Sequence, residues 1–104
     1  MNEYVRNVTN APESAAVLAF IRERQGDVLA EAVRQLSSCP REERAAVAHA
    51  VSGSLGSYQL DEAYARVMAL RALLDDPSAA PTDVDGEWEA TVDALRILET
   101  SPRP

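Results

Sequence analysis

The sequence predicts an all-α fold, an antiparallel bundle of four helices, and three observations predict it. Apolar residues recur at helical spacing in four separate stretches. Each stretch is bounded by proline or by residues that favour helix starts. No segment alternates with a period of two for long enough to make a strand. With 104 residues, 46% of them hydrophobic, the chain makes one domain with a modest core.

The elements follow in order. Residues 1–10 carry no clear period and read as an N-terminal segment, with the bundle over 11–100 and a tail over 101–104. Asn10, Pro12 and Glu13 mark a start: a capping side chain, an early proline and a carboxylate near the positive helix end. Val17, Leu18 and Ile21, then Val28, Leu29, Val33 and Leu36, form the stripe. Gly26-Asp27 interrupts it, which leaves one kinked helix or two nearly collinear ones over 11–37. Ser37-Ser-Cys-Pro-Arg-Glu opens the next helix, which runs to about Tyr58 and buries Ala45, Ala48, Val51 and Leu55. Asp61 is placed to cap a third, with Val67, Leu70 and Leu74 inside and Pro77 as its stop. Residues 78–81 form a loop. Thr82 to Asp85 resembles a capping box, and Val84, Trp88, Val92, Leu95 and Leu98 form the last stripe before Pro102.

Charge narrows the function. A net charge of −7 and a pI near 4.6 repel phosphate backbones and anionic lipid, which argues against nucleic-acid and membrane partners. Charges break every apolar stretch, so no span is expected. The first ten residues lack the pattern of a secretory leader. Without one, the Asn7-Val8-Thr9 sequon carries no weight. The single cysteine, Cys39, has no internal partner, which fits a cytoplasmic location. A start-of-helix position beside Arg41 could lower its pKa, although an ordinary boundary residue is the simpler reading. All ten basic residues are arginine, a compositional pointer to a GC-rich bacterial genome.

No Cys/His cluster, phosphate-binding loop or dinucleotide fingerprint is present, so neither metal nor cofactor is expected. Asp83 and Asp85 suit a helix N-terminus better than a metal site. Trp88 reads as core, and Tyr58 and Tyr64 as packing residues with wet hydroxyls.

What remains is the only histidine, in the stretch AHAVSGSLGSYQL. With Ala48 at the centre of the buried stripe, His49 falls about 100° round the helix, at the shoulder between core and water. Its neighbours on that side are Ala45, Ala46, Ser52, Gly53 and Gly56, none long enough to cover a ring. The two glycines cost the helix roughly 2 kcal/mol of propensity. An uncovered imidazole has a ring nitrogen free to act as a nucleophile. No pocket is built around it. A partner that brings its own active site would complete the chemistry.

The stretch HAVSGSLGSYQLDE resembles the signature of histidine-containing phosphotransfer (HPt) domains, roughly H-x-x-K-G-S followed by a Gly/aromatic turn. A weaker likeness extends to FIRERQGDVLAEAVRQL and PREERAAVAHA, so that the resemblance covers about residues 15–100. It implies a four-helix bundle. It makes His49 the phosphoryl acceptor and donor, exchanging with a response-regulator receiver or a sensor histidine kinase. Gly53 and Ser54 match the glycine and small residue that follow, and Gly56, Ser57 and Tyr58 the turn. Ala45, Ala46, Gly53, Gly56 and Ser57 would then form the docking surface, with Ser52 and Ser54 as candidate hydrogen-bond donors to the phosphoryl group. The domain would be a carrier in two-component signalling with no nucleotide site, not an enzyme, and Mg²⁺ would belong to the receiver.

Two departures stand out. Gln59 occupies a position where the family often has glycine. Ser52 occupies the lysine position, and a unit charge about 6 Å from the phosphoryl group is worth ~0.7–2.8 kcal/mol. Glu42, nearly two turns before His49, adds an unfavourable charge. Arg41, Arg44, Arg66 and Arg71 are spaced as solvated faces, and any of them near His49 could replace the lysine. The alternative is a degenerate relative that keeps the bundle as a protein–protein docking module without phosphotransfer.

Overall fold

A computed structural model describes residues 12–100, with side chains from Ala15 onward. The segment 1–10, the cap at Asn10 and the tail 101–104 lie outside the described residues. Four helices run in order: α1 (Pro12–Ser37), α2 (Arg44–Ser57), α3 (Asp61–Leu74) and α4 (Pro81–Thr100), with a 3₁₀ turn (Arg41–Glu43) before α2. The described residues contain no strand. Each helix packs against two others, in the cycle α1–α2–α3–α4–α1; the backbones of the diagonal pairs stay apart, and long side chains bridge α2 to α4.

Of the two readings of Gly26-Asp27, the continuous helix is the one adopted. Pro40 closes the connection after α1. Its carbonyl accepts from Glu43 N at 3.0 Å. Asp61 lies inside α3 rather than capping it, because Leu60 occupies the flanking position without a side-chain cap. Its charge still suits the positive end of that helix. The last helix opens at Pro81, one residue before the expected Thr82, where a missing N–H costs nothing.

The core takes Leu29, Ala32, Val33 and Leu36 from α1, and Ala48, Val51 and Leu55 from α2. Ala63, Val67 and Leu70 come from α3, and Trp88, Val92 and Leu95 from α4. Val28, Leu74 and Leu98 sit at its edge. Two expectations fail. Ala45 is exposed, and Ser52, only 2% exposed, takes a place in the buried face of α2. A serine is tolerated there because its hydroxyl is hydrogen-bonded. Val17, Leu18 and Ile21 are also exposed, together with Phe20 at 62%. Their spacing is helical, but burial of α1 begins only at Gln25.

Aromatic and charged groups tie α1, α2 and α4 together. Trp88 Nε1 donates to the Leu36 carbonyl at 2.9 Å, and the Arg44 guanidinium lies 4.9 Å from the Trp88 ring centroid. Asp85 accepts from Arg44 Nη1 at 2.6 Å and from Arg41 Nη2 at 3.0 Å. These two arginines hold its carboxyl below the usual carboxylate range.

Candidate functional site

The geometry around His49 starts with how α2 ends. Leu60 N donates to the Leu55 carbonyl at 3.0 Å, and Gln59 N to the Gly56 carbonyl at 3.1 Å. This pair of bonds satisfies the last carbonyls of the helix and is normally made with glycine at the left-handed position. Here Gln59 occupies it, with φ of 57°. Gln25 Nε2 reaches from α1 to the Tyr58 carbonyl at 2.8 Å, fixing the same end.

His49 is exposed on α2, as expected for the shoulder, with Ala45, Ala46, Gly53 and Ser57 exposed on the same helix. A Cβ at Gly53 would meet nothing within 4 Å. At Gly56 part of that clearance is taken up within the fold. A Cβ there would stand 3.2 Å from Tyr64 Cε1 and 3.3 Å from Cδ1. Gly56, itself exposed, therefore admits the edge of the Tyr64 ring of α3.

The two serines also part from expectation. Ser52 Oγ donates to the His49 carbonyl at 2.9 Å and accepts from Arg71 Nη1 at 3.0 Å. Its one proton is committed to the backbone, so Ser52 is a scaffold residue of this turn and not a free donor to a phosphoryl group. Ser54 lies about 140° round α2 from His49. It faces a groove between α1 and α2 that Arg24, Asp27 and Glu31 also line. His49 and Ser54 are not brought together.

Of the four arginines considered, Arg41 and Arg44 are taken by Asp85. Arg66 lies about 140° round α3 from Arg71, and its buried Nε has no hydrogen-bond partner among the described residues. Arg71 alone reaches the histidine's turn, by way of Ser52, and it also donates to Met68 Sδ at 3.5 Å. Sequence reasoning could name it only as one of four. Glu42 belongs to the 3₁₀ turn, so it is not aligned with His49 along α2.

Cys39 is partly buried, and burial together with Glu43 pushes its thiol up, the opposite of an activated cysteine. The described residues hold no cluster of His, Cys, Asp and Glu able to bind a metal ion. No helix among them is long and apolar enough to cross a membrane. No protein-family model matches the chain, and neither a curated protein nor a solved structure matches it.

Proposed function

We propose that this protein is a phosphorelay carrier of the HPt type, with its four helices antiparallel to their neighbours in the ring and its work done in the bacterial cytoplasm. His49 accepts a phosphoryl group from a receiver aspartate or a sensor kinase and passes it on. The observation that carries this reading is the exposed imidazole beside the open surface at Gly53, where a second protein can bring its own active site into contact.

The step balances on groups of both proteins. The bare ring nitrogen of His49 forms an N–P bond while the O–P bond of the aspartyl phosphate breaks. The receiver carboxylate leaves with that bonding pair, and the ring returns its remaining proton to water. Mg²⁺, held by the receiver, would screen the oxyanions. The bundle contributes a nucleophile and a landing surface, and so acts as a carrier rather than as an enzyme.

Incubation with a phosphorylated receiver, or with the cognate kinase and ATP, should give one phosphate that is labile in acid and stable in base. His49→Gln should abolish it and leave the fold intact, since an exposed ring contributes little to the core. The retention of Ser52 within the fold favours one second reading, a docking module that binds a receiver without taking its phosphoryl group. Tight receiver binding with no phosphate would establish that reading, and the absence of both would remove phosphorelay from consideration.

A further inference from the structure

Arg71 is half-buried on α3 in a chain with a net charge of −7, and yet it has no carboxylate partner among the described residues. Among the described residues Arg24, Arg34, Arg41, Arg44 and Arg96 each pair with an acid. Arg22, Arg66 and Arg71 do not. Arg22 is exposed on the part of α1 that the bundle does not cover, and Arg66 lies on a different face of α3. Arg71 is held by two neutral acceptors, Ser52 Oγ and Met68 Sδ, through the same nitrogen, Nη1. Its Nε and Nη2 make no hydrogen bond among the described residues.

A guanidinium tethered by neutral groups keeps its full charge for a ligand, and its two remaining donors suit two oxygens of a tetrahedral anion. The tether also sets its location. Ser52 Oγ, which holds Arg71, is bonded to the carbonyl of His49 itself. The cation therefore sits at the turn that carries the exposed imidazole, supplied by a different helix.

We infer that Arg71 is the phosphoryl-binding residue of the site. It receives the oxyanion of a group attached to His49, and Ser52 positions it there. This rests on the phosphotransfer reading above. Coulomb's law for two unit charges separated by roughly 6 Å gives a change of ~3-fold to ~100-fold in the population or lifetime of a charged state, depending on solvent screening, and that sets the scale of the expected effect.

The test uses potassium phosphoramidate as the donor, so that no partner protein is needed. The P–N bond to ammonia breaks, ammonia leaves with the pair and a proton, and a new N–P bond forms to His49. Arg71→Met keeps the aliphatic stem and its packing but removes the charge. It should label more slowly than the parent protein, or lose its acid-labile phosphate faster, by a factor within that range. Arg71→Lys should recover most of the loss, which a purely structural role would not predict.

A second measurement needs no variant. A dianion approaching an acidic protein with no local cation is labelled faster as salt screens the repulsion. Labelling guided by Arg71 should slow instead. Equal labelling and lifetime for the parent and Arg71→Met would overturn the role of Arg71 while leaving phosphotransfer standing, as would faster labelling at high salt. A parent protein that takes phosphate neither from phosphoramidate nor from its kinase would overturn the phosphotransfer reading, and this role with it.

Discussion

Gly53 and Gly56 lie on one helix, three residues apart, and a Cβ added to each meets opposite surroundings. At Gly53 it enters open space, while at Gly56 it presses on the Tyr64 ring. The two positions are only about 60° apart round α2, but the second already faces α3. The same residue serves two ends: at Gly56 it lets a neighbouring helix pack, and at Gly53 it leaves the rim beside His49 bare. Both weaken α2 locally, yet only one of those costs is offset by a contact inside the fold.

Large side chains should separate the two positions most. Gly56→Leu drives a branched side chain into Tyr64 and should cost about 1–3 kcal/mol of stability, as overpacking does. Gly53→Leu should leave the urea midpoint unchanged or raise it, since a good helix former replaces glycine. It should nonetheless abolish capture by a receiver that binds the parent protein. A Gly53→Leu variant that unfolds would mean that both glycines serve packing, and the contrast between them would vanish.

Alanine gives a finer measurement. Gly53→Ala should stabilise the fold by about 1 kcal/mol in urea unfolding. Gly56→Ala should gain much less, because the ring must shift by a few tenths of an ångström to admit the methyl group. In a Tyr64→Ala background the gain at position 56 should rise to match that at 53. The coupling in that double-mutant cycle measures the ring contact directly.

The smallest effect lies just beyond both glycines. Gln59 holds a left-handed conformation that glycine adopts without a side-chain penalty. Gln59→Gly should raise stability by up to about 1 kcal/mol. A loss would show that the Gln59 side chain makes a contribution larger than its backbone strain.

The four helices were legible because proline and apolar spacing are local signals, and Trp88, Val92 and Leu95 are buried as their stripe requires. The position of His49 was legible for the same reason, since a wheel fixes angle. Length relative to a neighbour is another matter. α1 has 26 residues against 14 in α2, a difference of roughly 18 Å, so the regular spacing of Val17, Leu18 and Ile21 outruns anything that could cover it. Ser52 was misjudged because polarity in a sequence says nothing about a hydroxyl satisfied by its own helix. Arg71 and Tyr64 needed the register of α3 against α2, which no single helix encodes.

The overhang of α1 gives one helix two kinetic regimes. From Leu29 to Leu36 its amides lie on a face locked by the core, and their exchange with solvent deuterium waits on global unfolding. Between Ala15 and Arg24 every side chain is exposed. Those hydrogen bonds have only helix propensity behind them, which is marginal for so short a stretch. Protection should therefore climb steeply along a single unbroken helix, with the rise near Gln25, where its tie to the end of α2 begins. Cooperativity in this molecule is bounded by contact between helices and not by the helix as a unit.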